Sequence, residues 1–396
     1  MKEICPIEKC TGCFSCLAGC KHEAIEIRED ACGFRYPVIK QDLCTDCMLC
    51  QKSCPVIHLQ DLRFPDTCYA VALKDDKESA SCASGGAATA LSKYVLSNGG
   101  VVFGCSGGNA RHIEHIRVSR LEELPLLKGS KYVQSDLGMV FRQVKKDLDD
   151  GLQTLFIGTP CQVAGLKSFL KRPFENLITA DLVCHGVPSQ KLLNDNLTRY
   201  TSRMKGLDED SVHFREKKVR KNRNQIQSFK IEYGWYLKKY QPYSAPAVSV
   251  KWYKDPYLFG FMQGLFFREC CYKCRYAYAV RVGDITLSDY WGLGGDSSLD
   301  VNKGASAVLV NTPKGAELFA GVKGSILYEE REVQEAVMGN GQLQHPSVKH
   351  PNHELFRTLY PQLGLEQSVR KCLRKDLVKL HLKNILLTMI RLLKKL

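Results

Sequence analysis

The cysteines near the N-terminus have the spacing of iron–sulfur ligands. Two runs repeat the pattern C-x2-C-x2-C-x3-C, and Pro55 follows the second run. Three closely spaced thiolates can hold three corners of an iron–sulfur cube, while the fourth cysteine of each run ligates the other cluster. The spacing therefore predicts two 4Fe–4S clusters. The expected ligands of the first cluster are Cys10, Cys13, Cys16 and Cys54, and those of the second cluster are Cys20, Cys44, Cys47 and Cys50.

Zinc is the alternative metal for these positions. Structural zinc sites pair two C-x2-C knuckles, a pattern that two runs of four cysteines match poorly. The runs resemble those of dicluster ferredoxins, with one departure: Lys21 stands where proline usually follows the fourth cysteine of the first run. Two neighbouring clusters form a relay for single electrons. We therefore expect ferredoxin or another redox protein as a partner, and a further redox group at the inner end of the relay.

The number of cysteines also bears on the compartment. The chain has 19 cysteines in 396 residues. Disulfide scaffolds are short secreted domains, whereas this N-terminus reaches a polar cysteine motif at once, which predicts no signal peptide. We expect a cytoplasmic protein with metal-bound thiols, with a peripheral position at the inner face of the membrane as an alternative.

Two short basic runs, 215–223 and 366–396, carry most of the net charge of +14. Neither run comes with a nucleic-acid recognition motif, so we expect no nucleic-acid partner. The segment from Val369 to Leu396 predicts a basic helix whose apolar run is shorter than the about 20 residues of a membrane span. It could lie on an anionic membrane surface, dock on a partner subunit, or pack its apolar face on its own domain.

The rest of the chain alternates strand and helix patterns. Strands are predicted at 67–75, 101–105, 154–158, 178–184, 284–290 and 307–312, with helices after the first and the third of them. This alternation indicates α/β organisation. The predicted class is α+β: a two-cluster ferredoxin-like module, an α/β flavin-binding catalytic domain and a basic C-terminal helix. The expected boundaries are 1–62 for the module, 66–150 and 151–345 for the two parts of the larger domain, and 346–396 for the tail.

Four further cysteines stand at the ends of these strands. They are Cys161, Cys184, Cys271 and Cys274. Taken by spacing alone, they are either buried free thiols or a third metal site, and the helix start at Cys161 favours thiolate. Ser84-Gly85-Gly86 precedes a helix that Ser84 is expected to cap, which offers an anion site for a cofactor phosphate. A nicotinamide site has no support, since no G-x-G-x-x-G joins a strand to a helix.

Seven ordered segments resemble the beta subunits of coenzyme F420 hydrogenases and dehydrogenases. These segments are CASGGAATAL, SKYVQSD, GTPCQVAGLK, DLVCHGVPS, FREK, CYKCRYA and GDITLSDYWG. The family includes the input subunit of F420H2 dehydrogenase, and 7-hydroxymethyl chlorophyll a reductase is a relative. The resemblance implies FAD and a third 4Fe–4S cluster, whose implied ligands are Cys161, Cys184, Cys271 and Cys274. The implied flavin-site residues are Ser84, Gly85, Gly86, Ser130, Lys131, Tyr132 and Gln134.

The sequence departs from the family in the segment after FREK. A basic insertion, VRKNRNQIQ, separates FREK from Gly234-Trp235, and we expect it to shape the mouth of the substrate site. Cys270 is an extra thiol that could substitute as a ligand. Asp284, Asp289 and Trp291 belong to the last segment, with packing as an equal alternative for Trp291. The remaining cysteines are interpreted as packing residues: Cys5, Cys32, Cys68, Cys82, Cys105 and Cys372.

These features predict an iron–sulfur flavoprotein oxidoreductase. A flavin exchanges two electrons with organic substrates and single electrons with clusters, so the expected substrate is a small redox molecule such as coenzyme F420 or another organic acceptor. Two alternatives stay open: a ferredoxin-dependent reductase of a metabolite in envelope polysaccharide synthesis, and a non-enzymatic electron-transfer subunit. No catalytic residue is assigned, and the candidate general acids are Lys131, Tyr132 and His185.

Overall fold

A mixed β-sheet of eight strands forms the centre of the larger domain. The computed structural model describes residues 3–202, 211–221, 227–238, 248–380, 382 and 389. The strands are β1 (Ile25–Glu29), β2 (Arg35–Ile39), β3 (Thr67–Leu73), β4 (Val101–Ser106), β5 (Glu114–Val118), β6 (Thr154–Gly158), β7 (Leu177–Leu182), β8 (Ser211–Lys221), β9 (Gln227–Lys238), β10 (Val248–Lys251), β11 (Ile285–Asp289), β12 (Ser306–Val310) and β13 (Ile326–Arg331). The α-helices are α1 (Ser15–Gly19), α2 (Leu49–Lys52), α3 (Asp76–Ala80), α4 (Ala87–Ser97), α5 (Val140–Asp149), α6 (Pro160–Leu170), α7 (Gln190–Thr201), α8 (Pro256–Met262), α9 (Pro313–Val322), α10 (Val333–Gly339) and α11 (His353–Cys372).

The order of strands in the sheet is β13-β3-β12-β11-β7-β6-β4-β5. The four strands β4, β6, β7 and β11 run parallel, and the outer strands pair antiparallel. Strands β4, β6 and β7 are largely apolar and buried, as is typical of parallel strands in the interior of a sheet. Strand β3 pairs with β12 and β13, so the two predicted parts of the larger domain share one sheet.

The N-terminal module is small and has a core made largely of cysteine. Its hairpin β1–β2 packs with α1 and α2 around a cluster of buried residues that includes Cys16, Cys20 and Cys54. A chain segment of this size buries too little apolar surface to be stable alone, so metal is the usual stabiliser. An N-terminal ferredoxin-like module followed by a mixed α/β domain, as the sequence predicts, is confirmed.

A second sheet of three strands has the order β10-β9-β8. The FREK segment lies in β8, and Gly234-Trp235 lies in β9. The two ends of the basic insertion extend this hairpin, since residues 219–221 belong to β8 and pair with β9 up to its first residue, Gln227. Residues 222–226 lie outside the described part of the chain, so the prediction that the insertion shapes the substrate mouth stays a prediction.

The C-terminal segment contributes to the core. Helix α11 buries Phe356, Tyr360 and Val369 against α7 and α8. Residues 374–380 are also helical, while most of the predicted basic helix beyond them lies outside the described residues. Within the described part of the chain, no helix combines the length and the apolar composition that a bilayer crossing requires.

Candidate iron–sulfur and cofactor sites

The two cysteine runs adopt the same unusual backbone. Gly12 and Phe14 flank Cys13 with φ of 65° and 54°, and Asp46 and Met48 flank Cys47 with φ of 55° and 59°. A left-handed conformation is costly for residues other than glycine and persists where surrounding structure demands it. Of the five non-glycine residues with positive φ in the described chain, four belong to this module. The repeat in sequence is thus a repeat in structure, and both loops curve in the same way.

The expected ligands of the first cluster are gathered in the interior. Cys10, Cys13, Cys16 and Cys54 are each at most 9% exposed. Burial raises the pKa of Cys13 to about 12 and that of Cys16 well above its usual value, and the charges of Cys10 and Cys54 add to both shifts. As thiolates, the four buried sulfurs would repel one another, and cationic iron would relieve that repulsion. The residues therefore fit a cluster.

The sequence suggested that Cys5 serves only in packing. In the structure, Cys5 lies against the first cluster site. It lies near Cys10 and Cys54, and these two cysteines raise the pKa of its thiol. Hydrogen bonding to Cys5 lowers the pKa of Cys10 to about 6 and the pKa of Cys54 to about 7. Sequence spacing gave no sign of this contact, because Cys5 stands outside both repeated runs.

Three of the four expected ligands of the second cluster lie nearer the surface, while Cys20 is buried. Burial raises the pKa of Cys50, and the nearby Cys20 and Cys44 contribute to the same rise. Cys47 is exposed, and the neighbouring loop presents exposed Leu43. The two expected clusters therefore differ in setting: the first is enclosed by protein and the second faces solvent.

The four downstream cysteines converge at the carboxyl ends of the parallel strands. Cys161 is the second residue of α6 after β6, and Cys184 follows the end of β7. Burial raises the pKa of Cys161 well above its usual value, and Cys274, Cys184 and Cys271 raise it further. The mutual effect shows that the four thiols lie near one another.

Cys184, Cys271 and Cys274 are affected in the same sense. Burial, with the charge of Cys271, raises the pKa of both Cys184 and Cys274 to about 12. A hydrogen bond with Cys270, followed by burial, raises the pKa of Cys271. Cys270 is therefore close enough to remain an alternative ligand. As at the first site, cationic metal would relieve the repulsion among four thiolates here.

A cavity of about 790 Å³ opens beside these cysteines. It lies at the carboxyl ends of the four parallel strands, where open α/β sheets bind their ligands. Pockets for small molecules and cofactors typically measure about 300–1,000 Å³. The four cysteines, the 82–86 loop and the 128–135 segment all line it, and Thr11 and Pro55 of the N-terminal module reach its wall.

The glycine loop at 84–86 borders this cavity but is held differently from the prediction. Gly86, with φ of 88°, is the N-cap of α4, and no side chain caps that helix. The hydroxyl of Ser84 instead donates to the carbonyl of Ala305 at 2.8 Å, so the prediction that Ser84 caps the helix is wrong. A Cβ on Gly85 would lie 2.0 Å from the carbonyl oxygen of Val71. Close packing on the sheet is therefore one reason for glycine at this position.

The FREK segment of β8 fixes the loop from the other side. The Lys217 ammonium donates to the carbonyls of Ser79 and Ser84 at 2.7 and 2.6 Å. Arg215 forms a two-bonded ion pair with Asp289, at 2.7 and 2.6 Å. Two of the segments that resemble the family, FREK and GDITLSDYWG, thus meet at the cavity wall.

The residues predicted at 130–134 also line the cavity. Lys131 donates to the carbonyls of Leu127 and Lys128 at 2.8 and 2.9 Å, and burial lowers its pKa to about 8. The Tyr132 hydroxyl accepts from Arg215 at 2.6 Å. The side-chain amide of Gln134 is directed toward the N-terminal module, donating to the carbonyl of Thr11 at 3.0 Å.

The charge of the cavity wall suits an anionic cofactor. Six lysine and arginine residues line it against three acids, and burial lowers the pKa of His185, which keeps that ring neutral. The Nη1 atom of Arg275 is buried without a hydrogen-bond partner. A buried unsatisfied guanidinium nitrogen is costly, and a phosphate group would satisfy it. Sequence reasoning missed Arg275, although it stands directly after Cys274.

The remaining motif residues divide between the cavity and the sheet. Trp291 lines the cavity and is 44% exposed. Asp284 is buried and accepts from the backbone and the hydroxyl of Thr179, at 2.8 and 2.6 Å, so it joins strands rather than facing the cavity. Sequence reasoning also missed the fully buried pair of Asp181 and Arg281, with its 2.7 Å contact, which fixes the segment after the last cysteine.

The first cluster site directly contacts the helix that carries Cys161. A Cβ placed on Gly165 of α6 would lie 2.9 Å from both Cβ and Sγ of Cys13. The buried ring of Tyr276 lies within electrostatic reach of both Cys13 and Cys161. One turn of α6 and this ring therefore lie between the two cysteine sites.

Comparison with known proteins identifies both parts of the chain. Residues 152–336 match the family model for the C terminus of the beta subunit of coenzyme F420 hydrogenase/dehydrogenase, and residues 9–57 match that of a 4Fe–4S dicluster domain. A chain from the F420-reducing NiFe hydrogenase complex of Methanosarcina barkeri is similar, with 18% identity and a TM-score of 0.45 over 80% of this chain and 94% of that chain. No curated protein matches the sequence. The resemblance noted from the motifs is confirmed.

Proposed function

We propose that this chain, which joins a 4Fe–4S dicluster domain to the C-terminal domain of the coenzyme F420 hydrogenase/dehydrogenase beta subunits, is an iron–sulfur flavoprotein oxidoreductase. It would pass electrons between its clusters and FAD, and between FAD and a two-electron substrate such as coenzyme F420 or another organic acceptor. One observation carries the proposal: the four downstream cysteines, the glycine loop and the inner face of the N-terminal module all line a single cavity.

The proposed cofactors divide between named residues. When bound, the clusters supply single-electron transfer and the flavin couples it to two-electron chemistry. The cluster ligands would be the twelve cysteines predicted above. The flavin would be held by Ser84, Gly85, Gly86, Ser130, Lys131 and Tyr132, with Gln134 at the boundary to the module, and Arg275 would bind its phosphate.

The side chains of the cavity supply binding and proton control. Lys217 and Arg215 keep the 82–86 loop and Asp289 in place, which fixes the shape of the wall. Lys131 is best suited among the three candidate acids to hold a transferable proton, because its pKa of about 8 lies near neutral pH. The pKa of Tyr132 is raised by burial and that of His185 is lowered, which makes both weaker proton donors or acceptors near pH 7.

The partner side of the chain would be the surface around Cys47. This cysteine is exposed while the first site is buried, so a redox protein such as ferredoxin can approach only the second site closely. We propose that electrons enter or leave there and that the small-molecule substrate uses the cavity.

The test is anaerobic purification of the full chain with measurement of iron, sulfide and flavin. About twelve iron atoms, matching labile sulfide and one FAD per chain are expected. Reduced F420 and reduced ferredoxin are then tried separately as donors, following the flavin absorbance. Reduction by F420H2 supports the proposed substrate. Reduction by ferredoxin alone points to the metabolite reductase, and protein with clusters but without flavin refutes the enzyme.

A matched pair of variants tests the flavin site itself. Lys217→Met removes a charged hydrogen bond to Ser84 of the glycine loop and another to Ser79 of α3, and it should lower flavin content severalfold while iron is retained. Lys93→Met, which loses an ion pair to Glu78 on the outer side of the same region, should keep its flavin. Equal flavin content in both variants contradicts the proposed location.

A further inference from the structure

Arg268 is a fully buried cation at the first cluster site. Its side chain is 0% exposed. The Nε atom donates to the carbonyl of Cys10 at 2.6 Å, and Nη2 lies 3.6 Å from the Cys10 sulfur. Nη2 also donates to the carbonyl of Arg35 at 3.0 Å, and Nη1 donates to Gln134 at 3.2 Å. The guanidinium thus joins the two domains at a proposed cluster ligand.

The surroundings of Arg268 are shaped to receive it. The ring of Tyr36 lies 4.2 Å from its Cζ atom. Gly12, with φ of 65°, leaves room for the guanidinium, since a Cβ there would lie 2.9 Å from Cζ and Nη1. The planar group is therefore held by hydrogen bonds, a ring and a glycine, and has one orientation.

The charge of Arg268 has no carboxylate partner among the described residues. Its contacts are carbonyl oxygens, an amide, aromatic rings and the sulfur of Cys10. Burying a cation without a counter-charge is strongly unfavourable. By contrast, the other fully buried arginine, Arg281, pairs with Asp181 at 2.7 Å. A negative group at the Cys10 site would complete the environment of Arg268, and four thiolates around iron provide one.

We infer that Arg268 is a positioning residue that raises the reduction potential of the first cluster. This inference rests on the proposed function, because it assumes a cluster on Cys10, Cys13, Cys16 and Cys54. Hydrogen bonds to sulfur and net charge are among the factors that set iron–sulfur potentials. Reduction adds negative charge, and a fixed cation in a medium of low dielectric constant stabilises the reduced form. Burial acts in the opposite direction, so Arg268 would keep the enclosed cluster reducible.

The test is a redox titration of the full chain followed by electron paramagnetic resonance. Arg268→Gln removes the charge, and the equilibrium constant for reducing the first cluster should fall at least tenfold, which is 59 mV for one electron. Arg268→Lys keeps the charge and should change it less than threefold. Cys47→Ala and Cys271→Ala assign the signals, since each removes a proposed ligand of another cluster.

Arg142→Gln is the matched control. Arg142 also joins the two domains through carbonyl groups, donating to Ala18 at 2.8 Å and to Cys20 at 2.5 Å. Its loss should leave the first potential unchanged. An unshifted potential in Arg268→Gln overturns the inference, and so does a tenfold fall in the equilibrium constant for reduction in Arg268→Lys. The lysine variant remains decisive if the glutamine variant loses iron. Flavin content and F420 activity are measured separately. An unshifted potential in active protein therefore refutes the inference on Arg268 and leaves the proposed function standing.

Discussion

Replacing Gly165 with alanine tests how closely the N-terminal module rests on the larger domain. The new methyl group would lie 2.9 Å from both Cβ and Sγ of Cys13 and 3.3 Å from the ring of Phe141. Favourable carbon–carbon contacts are about 3.5–4.0 Å apart. The module must therefore retreat from α6 by more than half an ångström, roughly, or the helix must bend.

Two effects of opposite sign act at this position. Alanine in the interior of a helix is about 1 kcal/mol more favourable than glycine. Inserting a methyl group into a packed site costs typically about 1–3 kcal/mol. Because the clash involves Cys13, a proposed cluster ligand whose position bound metal would constrain, we expect the upper part of that range. The net result is a destabilisation of about 1–2 kcal/mol.

The assay combines thermal unfolding under anaerobic conditions with iron retention during chelator challenge. Gly165→Ala should lower the midpoint by a few degrees and release iron faster than the parent protein. Gly324→Ala is the control, because a Cβ there meets nothing within 4 Å, and its midpoint should stay the same or rise. If Gly165→Ala is as stable as Gly324→Ala and retains its iron equally well, Cys13 does not press on α6.

Two further predictions concern buried charge and pH. Asp181→Asn leaves Arg281 buried without its counter-charge and should reduce the free energy of unfolding by about 3–5 kcal/mol, whereas Glu123→Gln at an exposed ion pair should change the unfolding midpoint far less. Burial lowers the pKa of His115 in the folded protein to about 4. Because the unfolded chain keeps the ordinary histidine pKa of about 6.5, it takes up a proton first. The free energy of unfolding therefore decreases as pH falls from about 6.5 toward 4. The loss can reach about 3 kcal/mol, and His115→Asn should show a shallower decline in a urea titration over this pH range.

Local patterns were sufficient for the elements that carry the cavity. The strand at 154–158 is followed by a helix, as predicted, and in the structure Thr159 and Gln162 form a capping box at its start, with Pro160 at the first helical position. The predicted strand at 178–184 is shorter in the structure, ending at Leu182, because the chain leaves the sheet to bring Cys184 to the cavity. Boundaries at such sites depend on the ligand geometry, which local sequence does not encode.

Contacts between distant parts of the chain were beyond local patterns. Ser84 was expected to cap α4, but its hydroxyl donates to the carbonyl of Ala305. Ala305 is far along the chain, and its position depends on the order of strands in the sheet. Arg268 carried no signal either, since a single arginine beside two cysteines reads as a surface residue. Its burial results from the docking of the Cys10 loop, and that docking is a property of the assembled fold.

The contacts that join the two domains converge on the first cysteine loop. Gln134 and Arg268 bind its backbone, and Gly165 lies against Cys13. The loop itself has a conformation that non-glycine residues adopt only under constraint, as the φ of 54° at Phe14 shows. Metal at this site would thus determine the shape of the surface on which docking depends. We therefore expect the first cluster to be a structural joint as well as a redox centre, so that its loss separates the module from the cavity that it serves.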